Sequence, residues 1–247
     1  MLLSLARRAT AEGVGTAFLL AAVVGSGIMA ERLSGGNVGL ALLANAIATG
    51  GVLFAIILAF GPISGAHLNP AVTLADALQR GVAWHDVPAY IGAQIAGGVG
   101  GVAIANVMFG LPAFSVSHHA RAGSAQFLGE FVATFGLLAV IWGCSRSKAN
   151  ATPYAVAAYI VGAYWFTSST SFANPAVTIA RSLSDTFAGI RPVDVVPFIT
   201  AQLLGALSAT ALFTYLSPIS RATAQAVVVV HAEASHAPSS AGRAGRP

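Results

Sequence analysis

The sequence predicts an all-α membrane protein of six transmembrane helices and two re-entrant half-helices, folded as an inverted repeat. Three observations carry that expectation. Apolar residues make up 56% of the 247-residue chain and charged residues 8%, against about 25% charged in ordinary soluble domains. Six apolar stretches reach the roughly 20 residues that a helix needs to cross the hydrocarbon. One heptapeptide also occurs twice with a single change, as Asn69-Pro70-Ala71-Val72-Thr73-Leu74-Ala75 and Asn174-Pro175-Ala176-Val177-Thr178-Ile179-Ala180.

The spans fall near 10–30, 37–60, 87–109, 124–144, 151–169 and 194–216. The first follows Arg7 and Arg8 as a signal peptide would, but its apolar run continues to about Ala30 without a cleavage site, so it reads as an uncleaved span. Between the second and third spans, and again between the fifth and sixth, lies a short apolar segment headed by Asn-Pro-Ala. Proline suits the first turn of a helix, where its missing N–H costs nothing, and the preceding asparagine is a natural N-cap. Neither segment can span. Backbone entering a membrane this way is tolerated only inside protein or beside water, so both read as re-entrant.

The halves match outside these segments as well. Ala11-Glu12 and Ala17-Phe18 in the first span correspond to Gly129-Glu130 and Thr134-Phe135 in the fourth. Tyr90-Ile91-Gly92-Ala93-Gln94 corresponds to Phe198-Ile199-Thr200-Ala201-Gln202. Three spans and a half-span, repeated, place the second copy upside down, with the site at the repeat interface. Residues 1–216 are expected to form one transmembrane domain with repeats at about 10–109 and 124–216. Residues 217–247 lack periodicity apart from the valine run 227–230 and read as a disordered cytoplasmic tail.

With the N-terminus inside, eight of the twelve basic residues fall on the cytoplasmic side, which places both termini there. The net charge of +4 is scattered, with no basic patch interleaved with aromatics, so nucleic acid is not expected as a partner. Cys144 is the single cysteine, which excludes an internal disulfide and a cysteine-based metal cluster. No metal site, cofactor or nucleophile–base pair is expected, hence no enzyme activity. Runs of small residues at Gly97, Gly98, Gly100, Gly101 and Gly205 read as close helix crossings.

The paired Asn-Pro-Ala motifs in two such halves resemble the aquaporin family (major intrinsic proteins), from about Glu12 to Tyr215. The resemblance implies the aquaporin fold, a homotetramer in a bacterial inner membrane, and a lumen where two half-helix N-termini meet. Asn69 and Asn174 would point their amides into that lumen, while the positive dipole ends oppose cations. Glu12 and Glu130 are carboxylates within spans, which is costly without partners. By resemblance each holds a re-entrant loop; a proton relay is the other reading, but no chain of further acids or histidines accompanies them. His67 would line the cytoplasmic side of the pore or serve in packing. His118, His119 and Arg121 read as a solvated outer loop.

In aquaporins four residues at set spacings from the motifs form the selectivity filter. Here they are Thr49, twenty residues before Asn69; Gly162, twelve before Asn174; Ser171, three before it; and Val177, three after it, where the family usually has arginine. A ring this small and nearly uncharged should be wide. Arg181 lies one turn beyond Val177 and is expected in the outer vestibule, with a shifted register that makes it the filter arginine as the alternative. The aspartate that glycerol facilitators carry just after the arginine is replaced by Thr178. The pattern looks like bacterial aquaglyceroporins associated with arsenic resistance, which implies arsenite as neutral As(OH)3 and methylated arsenicals, with glycerol, urea and water, as solutes. A general glycerol facilitator or water channel, an ion-coupled secondary transporter and a structural junction protein are the competing readings. A transporter would need coupling charges in the lumen.

Overall fold

The computed structural model describes residues 3–217; the tail expected over 217–247 lies outside them apart from Ser217. The described residues form eight α-helices: α1 (Leu5–Leu33), α2 (Val38–Ser64), α3 (Pro70–Leu78), α4 (Val87–Met108), α5 (Ser124–Ser147), α6 (Thr152–Phe166), α7 (Pro175–Arg181) and α8 (Pro192–Leu216), with a 3-10 turn before α6. Local signals set the ends. The Asn37 side chain accepts the Leu40 N–H to start α2, and Gly65, at φ 89°, ends it in the left-handed conformation.

Five helices, α1, α2, α4, α5 and α8, have the length and hydropathy to cross a membrane. They present large apolar side chains on both faces: Leu53 and Ile57 of α2 are buried while Leu40, Ile47 and Leu58 are exposed. A helix apolar all round suits a surface that faces lipid. α6 departs from expectation. It has 15 residues, about 22 Å at 1.5 Å per residue, and is shorter than its counterpart α2.

α1 packs along α4 as α5 packs along α8, and α2 meets α6 between the halves. The first two pairs are close because glycine is present at the crossing. A Cβ added at Gly97 would lie 2.0 Å from the Gly13 carbonyl oxygen, and one at Gly205 would lie 2.4 Å from that of Phe131. Gly101 is similarly tight against Ala17, whereas Gly100 meets nothing. The half-helices exchange partners: α3 packs on α4 and α8, α7 on α8 and α4, and the two touch each other. Their N-terminal ends therefore converge inside the bundle.

Candidate pore

The two segments leading into α3 and α7 repeat one another in backbone detail. Ala66 and Leu68 have φ of 48° and 52°; Ser171 and Ala173, at the corresponding places, have 52° and 49°. Asn69 and Asn174 then sit at φ −157° and −158°, each capping its half-helix. A non-glycine residue in the left-handed region costs on the order of 1–3 kcal/mol, so something must hold these loops.

Glu12 and Glu130 do so. The Glu12 carboxylate accepts the backbone N–H groups of His67 (2.9 Å) and Leu68 (2.6 Å), the Ser64 hydroxyl (2.6 Å) and the Gln94 amide (2.7 Å). Glu130 accepts the N–H groups of Phe172 (2.8 Å) and Ala173 (2.9 Å) and the Gln202 amide (2.5 Å). Both carboxylates are fully buried. A hydrogen bond to a charged group is worth about 1.5–3 kcal/mol, so the bonds each acid accepts oppose its loop's strain. Gln94 and Gln202 also donate to Thr73 and Thr178 (2.9 and 2.8 Å). Sequence reasoning did not assign these four residues to the loops. Their signal was there: Gln94 and Gln202 end the matched pentapeptides, and the threonines belong to the duplicated heptapeptide.

The asparagine side chains reach across the interface. Each Oδ1 accepts from its own half-helix: Asn69 from Ala71 N–H, Asn174 from Ala176 and Val177 N–H. Each Nδ2 donates to the facing loop, Asn69 to the Ala173 carbonyl (2.7 Å) and Asn174 to the Leu68 carbonyl (2.8 Å). An amide NH2 carries two donors, so one remains for the lumen. Pro70, Ala71, Pro175 and Ala176 are buried in the first turns behind them.

A cavity runs past both asparagines. It is lined by apolar side chains of both halves, Leu19, Val23, Leu53 and Ile57 from the first and Leu137, Ile141, Val156 and Ile160 from the second, together with the loops 66–69 and 171–174. Thr49, His67, Ser171, Val177 and Arg181 also line it. Among the described residues the Ser171 hydroxyl has no hydrogen-bond partner. His67 places Nδ1 3.1 Å from the Thr73 hydroxyl and Nε2 3.6 Å from the Asp76 carboxylate.

Gly162 requires correction: it is exposed, and a Cβ there would meet nothing within 4 Å. α6 faces the cavity with Thr152, Val156, Ile160 and Tyr164, every fourth residue. Gly162 lies two residues from Ile160 and Tyr164, about 200° around the helix at 3.6 residues per turn. Tyr164 lines the cavity instead, its hydroxyl donating to Thr49 Oγ1 at 3.2 Å. The cavity lining therefore includes a phenol ring that Thr49, Gly162, Ser171 and Val177 alone would not supply.

Arg181 is drawn further in than the rise along α7 suggests. It is buried, its guanidinium carbon 3.4 Å from the centroid of the Phe172 ring, and its Nε donates to the Ala188 carbonyl. Arg121, expected in a solvated loop, approaches the same ring at 4.9 Å. It donates to the carbonyls of Gly189 (2.8 Å), Ser169 (3.4 Å) and Phe187 (3.5 Å) and to the Thr170 hydroxyl (3.3 Å). Burial lowers the Arg121 pKa to about 10, which leaves it charged at neutral pH. His119 beside them is held below its ordinary value by burial and then by the charges of Arg121 and Arg181.

The chain matches the family model described as Major intrinsic protein over residues 2–171 and 151–239. It is 52% identical to aquaglyceroporin AqpS of Rhizobium meliloti (strain 1021) over 86% of this chain and 91% of that protein. With the probable aquaporin NIP7-1 of Arabidopsis thaliana the identity is 32%, over 80% of this chain and 72% of that protein. The solved structure of the aquaglyceroporin from Plasmodium falciparum matches in fold, with a TM-score of 0.66 at 20% identity over 87% of this chain and 98% of that one. The duplicated loops, their buried carboxylates and these matches lead to one assignment: the chain belongs to the major intrinsic protein family, integral membrane channels rather than enzymes.

Proposed function

We propose that this chain is a passive channel for small uncharged solutes, among them glycerol, urea, arsenite as As(OH)3 and methylated arsenicals, with water. The observation that carries the reading is the lumen lining: apolar side chains from both halves together with the hydrogen-bonding groups of the two loops. Polar loop groups replace part of a solute's hydration while the apolar lining accepts its carbon or arsenic face. Val177, standing where the family usually has arginine, leaves room for solutes larger than water. The likeness to a bacterial aquaglyceroporin supports the same solute class and a multi-pass place in a bacterial plasma membrane, with both termini cytoplasmic by the basic-residue bias. A homotetramer follows from family resemblance.

A water-selective reading rests on one observation, that Tyr164 and Arg181 both line the cavity and take up space in it. Stopped-flow swelling of proteoliposomes separates the readings. Wild-type protein should pass glycerol, urea and arsenite as well as water, at rates independent of an imposed proton gradient. Passage of water alone would establish the narrow filter, and flux driven by the proton gradient would establish a transporter.

A further inference from the structure

Replacing the filter arginine with Val177 removes bulk and charge from one position, yet a cation remains in the lumen wall. In an α-helix side chains lean toward the N-terminus, over the preceding turn. Arg181 therefore reaches back from the last turn of α7 toward the level of Val177. Its guanidinium lies on Phe172, a loop residue two positions before Asn174, and both Arg181 and Val177 line the cavity.

The charge is uncompensated. Among the described residues no carboxylate forms an ion pair with Arg181 or Arg121. Glu130 is occupied by its loop, Asp194 by Arg191 and the Arg121 backbone N–H, and Asp185 by His118. Arg181 differs from Arg121 in one respect. Arg121 spends its donors on four protein oxygens, whereas only Nε of Arg181 makes a hydrogen bond among the described residues. The terminal nitrogens of this buried residue in the cavity wall thus have no acceptor among the described residues. Phe172 is fixed in turn, its N–H on Glu130 and its ring edge-on to Phe198 at 5.2 Å.

We propose that Arg181 carries the charge selection of this pore from one turn beyond Val177, with Phe172 setting the position of its guanidinium and Arg121 a second fixed charge behind the same ring. Size and charge selection are then divided: Val177 and Thr49 set the width, and Arg181 repels cations and donates hydrogen bonds to the oxygens of neutral solutes. The proposal rests on the channel reading above. Protons and cations meet two barriers in series, the full charge of Arg181 and the dipole ends of α3 and α7.

Full-length protein in proteoliposomes tests it, with glycerol swelling, proton leak under a pH gradient and potassium flux measured on the same vesicles. Wild type should pass glycerol and exclude protons and potassium. Arg181→Gln should pass glycerol faster and leak both cations at least tenfold above wild type, and Arg181→Lys should restore exclusion. Val177→Glu leaves Arg181 in its packing and places a carboxylate one turn N-terminal to it, the favourable ion-pair spacing. It should leak as Arg181→Gln does, while Val177→Gln should not; this pair decides the matter if Arg181→Gln fails to assemble. Glycerol-conducting Arg181→Gln or Val177→Glu that still excludes protons and potassium would overturn the proposal, leaving exclusion to the central dipoles. A wild type that passes no glycerol would instead overturn the channel reading on which it rests.

Discussion

Asn69 and Asn174 each close the other's loop. The Asn69 amide donates to the carbonyl of Ala173, the residue before Asn174, and the Asn174 amide donates to the carbonyl of Leu68, the residue before Asn69. The two bonds obey the same two-fold relation as the repeat. They join half-helices that enter from opposite sides, so the conformation of each loop is a condition for the other.

This reciprocity predicts coupling. Asn69→Ala and Asn174→Ala each remove an N-cap, worth about 1 kcal/mol, together with one cross-loop bond. Either single variant disturbs both loops, so the double variant should cost less than the sum of the singles by about 0.5–3 kcal/mol. Thermal unfolding in detergent of the four proteins of the cycle measures the difference. Additive losses would show that the loops are independent.

The carboxylates make a second test. Glu130→Gln leaves one acceptor oxygen but turns the other into a donor, opposed to the Phe172 or Ala173 N–H. Losing one charge-assisted bond should cost about 1.5–3 kcal/mol, lowering the thermal midpoint and the solute flux together. Flux should show no proton-gradient dependence in wild type or variant. A dependence that vanishes in Glu130→Gln would make this residue a relay.

The corrected α6 register is checked by two substitutions two residues apart. Gly162→Leu adds a side chain to an exposed surface and should leave glycerol and water permeability unchanged. Tyr164→Ala removes a ring from the cavity wall and the bond to Thr49, and should raise glycerol passage more than water passage. The opposite pattern would return Gly162 to the filter.

These two residues also show where sequence reasoning stopped. Val177 and Arg181 both line the cavity, as two residues one turn apart within α7 can, because the helical phase carries from one turn to the next. Counting back from Asn174 to Gly162 crosses residues 167–174, which are not helical. Across such a stretch the phase of 100° per residue is lost, and the rotation of α6 is set instead by packing on α2 and α5. The loops and their carboxylates were legible because duplication marks position without any count. Arg121 was not, because a loop arginine folded back onto carbonyl oxygens has no local pattern.

Mercurial sensitivity gives a fourth outcome. Cys144 does not line the cavity, so mercuric ion should not block wild-type flux rapidly. Ser171→Cys puts a thiol where a buried hydroxyl without a partner faces the lumen, and should create block that a reducing thiol reverses. Rapid wild-type block that disappears in Cys144→Ala would refute this placement.

Acidification should release the outer loop late. The Asp185 carboxyl is held below its ordinary value first by the His118 backbone N–H and then by the His118 ring. A depressed carboxylate stabilises the fold above its unfolded pKa of about 3.9, and that contribution is lost as pH falls through the lower folded value. Hydrogen exchange at residues 117–119, corrected for intrinsic rates, should stay slow into mildly acidic solution and quicken below the usual aspartate range. In Asp185→Asn that step should be absent.

The exchange of partners by α3 and α7 also sets a timetable for synthesis. When the first loop enters the bilayer, the Ala173 carbonyl that will receive the Asn69 amide is 104 residues away in the chain. At about 5–20 residues per second that acceptor is made on the order of ten seconds later, and α8, which also packs on α3, later still. Until then the loop is anchored by Glu12 of α1 and by α4, whose Gln94 bonds both Glu12 and Thr73. The first half must therefore wait in the membrane with its re-entrant segment tethered at one side, and the lumen exists only once α5, α6 and α7 have brought their share of its wall.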